Sequence, residues 1–303
     1  MARSVVKLPA GVRSPFEVYV NGVRQEPGVD YEVRGGSLVF PRELRKDRIS
    51  GWRWFLGAWG VGTYRQDDSV DVRYQRPDGT PAVLKLIHPH RESEHEADAL
   101  ELWDGDGAVR LLARDESGYV LLLERCEPGT RLSMLDADAA LDVMIGLLPR
   151  LWRPAGEPFH TLESEAAWWC EYLPETWQGD RDLLDAALEA LRTLPPTQGE
   201  QVVLHQDLHA DNVLAAHREP WLVIDPKPLV GEREFAVGPI VRSFELGHSK
   251  RDVLHRFDRL TAELGLDCER ARGWTIGQTV AWTPSSEYKS THLETARWLL
   301  EAR

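Results

Sequence analysis

Hydrophobic and polar positions alternate every second residue through much of the first eighty positions, then change to a three-to-four-residue rhythm. Phe16-Glu-Val-Tyr-Val20 alternates and meets Asn21-Gly22, a dipeptide suited to a hairpin turn. Tyr31-Glu-Val-Arg34, Gly35-Gly36 and Ser37-Leu-Val-Phe40 predict a second hairpin. Ser69 to Tyr74 alternates again, Pro77-Asp78-Gly79-Thr80 predicts a turn, and Ala82-Val-Leu-Lys-Leu86 a further strand. From 92 to 103 the apolar positions Ala97, Leu100 and Trp103 form a helical stripe. The continuous apolar run at 119–124 predicts a buried strand. Residues 136–152 predict a helix capped by Asp136 and kinked at its end by Pro149. Further helices are expected over 163–173, 182–192, 252–264 and 290–302. The chain therefore reads as α+β, with a β-rich front and a helical body.

Chemistry concentrates in one segment. Val202-Val-Leu predicts a strand that leads into the polar loop His205-Gln-Asp-Leu-His-Ala-Asp-Asn212. A hairpin follows, its returning strand Trp221-Leu-Val-Ile ending on Asp225. That hairpin sets Asn212 and Asp225 side by side at its open end, with Asp207 on the adjoining loop. Phosphoryl transfer needs such a set: a carboxylate to take the proton of an attacking hydroxyl, and hard oxygens to hold Mg²⁺ on nucleotide phosphates. Asp207 is the candidate base, and Asn212 and Asp225 are the candidate metal ligands. His205 and His209, with Asp207 and Asp211, also fit a second reading as a zinc site; in the other they only fix the loop. Lys85 is a lone charge inside an apolar strand, which suits a cation reserved for nucleotide phosphates. Glu96 is its expected partner, with Glu92 and Glu94 as alternatives. After the apolar strand Leu121-Leu-Leu-Glu124, the backbone of Arg125-Cys126 offers hydrogen bonds to an adenine edge, with Glu124 and Cys126 as candidates, or else is a plain connector.

Charge refines the picture. The net charge is −13, yet residues 1–76 carry 13 Lys/Arg against 9 Asp/Glu and the remainder 23 against 40. An acidic body argues against nucleic acid and suits a cationic small molecule. No apolar run is long enough for a transmembrane helix, and the N-terminus lacks the apolar core of a secretory signal. Three widely spaced cysteines, Cys126, Cys170 and Cys268, read as free thiols in a reducing cytoplasm.

Ala82-Val-Leu-Lys-Leu86, Glu96-Ala-Asp-Ala-Leu100, Gly107-Ala-Val-Arg-Leu-Leu112, Leu121-Leu-Leu-Glu-Arg125, the 205–212 loop and Ile224-Asp-Pro-Lys-Pro228 together resemble the aminoglycoside/hydroxyurea antibiotic resistance kinase family, which includes streptomycin 6-phosphotransferases. The likeness covers about residues 77–250 and continues more weakly to the end. It implies a bilobal protein-kinase-like fold, ATP and Mg²⁺ as cofactors, and a hydroxyl-bearing acceptor of the streptomycin type. It carries over Lys85, Glu96, Asp207, Asn212 and Asp225 in their roles. The expected division is a β-rich module at 1–75, a small lobe at 76–126 and a helical lobe at 127–303. Acceptor contacts are expected from Glu163, Glu165, Trp168, Trp169, Glu171, Trp282 and Glu287, which offer carboxylates for ammonium groups and rings for sugar faces.

The front of the chain departs from the family. Residues 1–76 instead resemble a short β-module found in phage-tail-like and other bacterial proteins, which suggests a fusion. Gly57, Gly60 and Gly62 are then candidates for a substitute phosphate lid, or serve tight aromatic packing among the neighbouring tryptophans. A chain without a lid would be a nucleotide-binding or interaction protein, so that reading stands beside the enzyme.

Overall fold

Two compact units emerge, Met1–Ala97 with Val109–Arg125 and Asp98–Ala108 with Cys126–Arg303. The computed structural model describes residues 4–8, 12, 15–20, 23–41, 70–75, 79–87, 89–286 and 289–302. The hairpin turn at Asn21-Gly22 and the glycines at 57, 60 and 62 lie outside the described residues.

In the first unit the strands are β1 (Ser4–Lys7), β2 (Phe16–Val20), β3 (Val23–Gln25), β4 (Glu32–Arg34), β5 (Ser37–Phe40), β6 (Val70–Gln75) and β7 (Pro81–Leu86). Helix α1 (Glu96–Trp103) begins here, and β8 (Leu111–Arg114) and β9 (Val120–Glu124) complete the set. Six strands form one antiparallel sheet in the order β3-β2-β6-β7-β9-β8, and β1-β5-β4 form a second. The amino-terminal strands do not stand apart from the Lys85 strand. Phe16 to Val20 pair residue for residue with Tyr74 to Val70, and β6 pairs in turn with β7. The inward positions of these strands, Val18, Val20, Val70, Val72, Ala82 and Leu84, share one core with Leu38, Phe40 and Tyr31. Phe40 is fully buried, its ring 5.9 Å from that of Tyr31. Period-two alternation thus has a physical cause: each strand presents one face to this core and the other away from it.

The second unit contains α2 (Ala137–Leu151), α3 (Leu162–Thr176), α4 (Arg181–Thr193), α5 (Gly238–Arg242), α6 (Lys250–Glu263), α7 (Cys268–Trp282) and α8 (Lys289–Glu301). Asp136 caps α2 through the Asp138 amide, and Pro149 falls in its last turn. Helix α7 has no counterpart in the sequence expectations. Every residue from Ala271 to Ala281 is buried, so the helix carries no apolar stripe to distinguish one face from another. Its glycines are contact points: a Cβ at Gly273 or Gly277 would lie 3.0 Å from Leu194 or Leu191 on the α4 side. Short strands β10 (Pro128–Arg131), β11 (Gln201–Leu204), β12 (Val213–Ala216), β13 (Trp221–Val223) and β14 (Leu229–Glu232) pair as β10-β12-β13 and β11-β14. Strands β8, β10 and β14 do not alternate in burial, the first two being largely exposed and the last buried throughout, so no pattern reveals them. Among the described residues no helix is long and apolar enough to cross a membrane.

Candidate active site

In the first unit Lys85 stands in the middle of the six-stranded sheet, opposite Asp71 on β6 and Leu121 on β9. Its neighbours Ala82 and Leu84 turn to the core, so alternation sends Lys85 to the opposite face. There its Nζ reaches both carboxylate oxygens of Glu96, at 2.6 and 2.8 Å. Glu96, at the start of α1, is only 2% exposed. A carboxylate so deeply buried depends on its counter-ion. Lys85→Met should therefore lower the unfolding free energy by about 3 kcal/mol, and Lys85→Met with Glu96→Leu by clearly less. Urea midpoints of the two variants check this; equal losses would mean that the pair is not the stabilising element.

In the second unit the loop after β11 is fixed at its first residue. The His205 ring is buried, stacked on Trp103 with centroids 6.3 Å apart. Its Nε2 donates to the Ile224 carbonyl at 2.9 Å, and its Nδ1 accepts the Asp207 amide at 3.3 Å. Burial pushes its pKa down to about 4, so the ring is neutral at physiological pH. With both ring nitrogens bound to backbone, His205 has no lone pair for a metal, and the zinc reading of this loop fails. His209 bonds Glu245 at 2.7 Å through its Nδ1. Burial alone would depress the His209 pKa, but Glu245 and the nearby Asp207 and Asp211 outweigh it and raise the value.

Hairpin register then brings the candidate metal ligands together. Val213 pairs with Val223, and the Ile224 amide donates to the Asn212 carbonyl at 2.9 Å, so Asp225 follows directly beside Asn212. The Asn212 Nδ2 donates to the Asp207 carbonyl at 2.9 Å. That bond fixes the amide and leaves its Oδ1 as the end offered to a cation. An amide oxygen and a carboxylate form a hard donor pair of the kind Mg²⁺ accepts. Gln206 and Asp225 both adopt left-handed backbone, with φ of 61° and 55°. Such conformations in non-glycine residues cost energy and collect at functional loops.

Asp207 itself is ringed by cations. Lys227 Nζ lies 2.9 Å from its Oδ2, and Arg242 Nη2 lies 4.0 Å from its Oδ1. Burial pushes the carboxyl up, but Lys227, His209 and Arg242 outweigh it and hold Asp207 well below the usual carboxylate range. Arg242 is nearly buried and bonds Gln278 Oε1 at 2.7 Å, while Gln278 Nε2 holds the Gln206 carbonyl at 3.1 Å. Both cations also lie over the Trp282 ring, Arg242 at 4.2 Å and Lys227 at 5.1 Å. Behind them the buried Arg256 donates to the carbonyls of Val241, Ser243, Leu246 and Gly247. It thereby fixes the turn from which Glu245 reaches His209 and the Asp211 amide.

The sequence candidates are thus distributed unevenly. Asp207, Asn212 and Asp225 converge, and Trp282 joins them through Lys227 and Arg242. Glu124 ends β9 with its amide on the Arg110 carbonyl and its carboxylate on the Arg110 amide. Cys126 follows that strand, half-buried. Glu171 is exposed on α3 and takes no part in the set around Asp207. Trp169 is core instead of surface, 1% exposed and stacked on Phe235. Glu287 lies outside the described residues. Sequence reasoning missed Arg242, although Gly238-Pro-Ile-Val-Arg242 carries the same mark that singled out Lys85, one charge among apolar neighbours. It also missed Lys227, two positions beyond Asp225.

A loop carrying a buried aspartate flanked by cations, followed by a hairpin with paired amide and carboxylate, is the arrangement of a protein-kinase-like phosphotransferase. Solved structures agree on the fold: choline kinase from Streptococcus pneumoniae has a TM-score of 0.55 at 12% identity, covering 77% of this chain and 90% of that one. A thermostable mutant of aminoglycoside phosphotransferase APH(4)-Ia also gives 0.55, at 13% identity over 78% and 92%. By sequence, the hydroxyurea phosphotransferase of Kitasatospora aureofaciens is 46% identical over 238 residues, 75% of this chain and 68% of that protein. The streptomycin 6-kinase of Streptomyces griseus is 41% identical over 238 residues, 75% and 77%. The profile of the aminoglycoside/hydroxyurea antibiotic resistance kinases matches residues 60–287, and the chain belongs to that family. The match begins ahead of β6 and so reaches further towards the amino terminus than the quoted motifs do.

Proposed function

We propose that this protein transfers the γ-phosphoryl group of ATP to a hydroxyl of a small acceptor, with a streptomycin-type aminoglycoside the first candidate. The observation that carries the reading is the convergence of Asp207, Asn212 and Asp225 on one hairpin end. Asp207, ionised because its cationic neighbours outweigh its burial, orients the acceptor hydroxyl and takes its proton as the new oxygen–phosphorus bond forms. Asn212 and Asp225 would hold Mg²⁺, which when bound neutralises phosphate charge. Lys85, pinned by Glu96, serves the nucleotide phosphates, and the backbone from Glu124 to Cys126 serves the adenine. Trp282, together with Glu287, serves the acceptor. The reaction belongs in the cytoplasm, where ATP is supplied.

The 46% identity to a hydroxyurea phosphotransferase favours hydroxyurea as a second acceptor. Both are tested together by incubating the protein with ATP, Mg²⁺ and either compound and following the product by ³¹P NMR. A phosphate ester of streptomycin, or the O-phosphate of hydroxyurea, is the expected product. Nucleotide left intact with both acceptors would overturn the reading.

A further inference from the structure

Among the described residues Lys227 and Arg242 pair with the Asp207 carboxylate, and the structure gives them different freedoms. Arg242 is buried, with 6% of its side chain exposed, and is locked to Gln278. Lys227 keeps 32% of its side chain exposed and approaches the carboxylate through a flexible four-carbon stem. Its backbone, in contrast, is fixed. The Lys227 amide donates to the His205 carbonyl at 3.0 Å, and prolines at 226 and 228 restrict the chain on either side. The side chain therefore pivots from an anchor two residues beyond Asp225. Asp225 is one of the two residues that would hold Mg²⁺ on nucleotide phosphates, so the anchor sits on the same hairpin end.

We propose that Lys227 is a further catalytic residue: it pairs with Asp207 in the free protein and turns to a γ-phosphoryl oxygen when nucleotide binds. The proposal rests on the phosphotransferase reading above and names a second group for the same step. In that step the acceptor oxygen bonds to Pγ while the bond from Pγ to the β,γ-bridging oxygen breaks. The hydroxyl proton passes to the Asp207 carboxylate and ADP leaves. Lys227 keeps all its protons throughout and exchanges one anionic partner for another. Negative charge spreads over the phosphoryl oxygens during transfer, and an ammonium aimed there stabilises it. Arg242 stays beside Asp207, so the carboxylate is not left without a counter-charge when Lys227 moves.

The test compares wild type with Lys227→Met, Lys227→Arg and Lys227→Ala. ADP and the non-hydrolysable analogue AMP-PNP are titrated in the presence of Mg²⁺, and kcat and KM are measured. Lys227→Met should weaken AMP-PNP about tenfold while ADP affinity changes less than about twofold, because only the analogue carries the γ-group. Its kcat should fall by about 10²- to 10³-fold with the acceptor KM unchanged. Lys227→Arg, which keeps the charge, should recover part of both losses. Lys227→Ala repeats the measurement should the Met variant not fold. Equal weakening of both nucleotides, or a wild-type kcat in the neutral variants, would reduce Lys227 to a neutraliser of Asp207 and overturn the proposal. Wild-type protein that binds neither nucleotide would instead sink the phosphotransferase reading itself.

Discussion

Asp207→Asn should lower kcat by about three orders of magnitude while nucleotide binding persists. The substitution preserves shape and leaves Lys227, Arg242 and the Asn212 amide in place, so what disappears is the capacity to accept a proton. Asp207→Ala should match it in rate and differ in stability. Both variants remove the counter-charge of Lys227 and Arg242, but Ala also removes the side-chain oxygen and the volume that an asparagine amide still offers them. An unfolding free energy lower by about 2 kcal/mol is expected for the Ala variant. Steady-state kinetics and denaturant titration separate the two effects. An Asn variant within tenfold of wild-type kcat would remove Asp207 from the role of base.

Acid should destabilise the protein well before its carboxylates protonate. His205 and His292 are both buried and neutral: burial pushes the first down to about 4, and burial together with Arg242 pushes the second down to about 3. In the unfolded chain each would titrate near 6.5. Between these values the unfolded state binds more protons, so stability falls as pH drops below about 6.5 and continues to fall towards pH 4. The two rings together amount to about 5 kcal/mol lost at pH 4.5 relative to pH 8. His209 acts in the opposite sense. Its raised pKa gives a contribution that is complete below the unfolded value and fades as pH rises through the folded one, so it does not cancel the acid loss. Urea midpoints measured from pH 8 to 4.5 check this, with His292→Gln expected to remove about half of the slope. A midpoint flat across that range would mean that the imidazoles are not buried in neutral form.

Much of the site was legible because its geometry is local. A four-residue strand, a two-strand hairpin and the polar loop between them put Asp207, Asn212 and Asp225 together by register alone. Lys85 announced itself as one charge in an apolar alternation, and its partner Glu96 lay on the next helix. The surroundings of Asp207 were not legible, for physical reasons. Arg242 and Gln278 reach the loop from α5 and α7, and long-range packing leaves no periodic trace in the chain. Helix α7 is buried on all sides, so threonine, glutamine and glycine occupy core positions without a stripe. The pairing of β2 with β6 was equally hidden. Each strand showed its own alternation, but nothing local tells a strand which distant edge it will join.

That pairing has a consequence for how the protein is made. Strand β2 is synthesised well before β6, with the whole intervening segment between them, and its backbone bonds on that side must wait for the later strand. Local hairpins can form at once, but closing so long a loop carries an entropy cost that only the completed core repays. The nascent amino-terminal strands therefore leave the ribosome with Val18 and Val20 still uncovered. A strand translated early in its unit becomes one of the last there to reach its final partners.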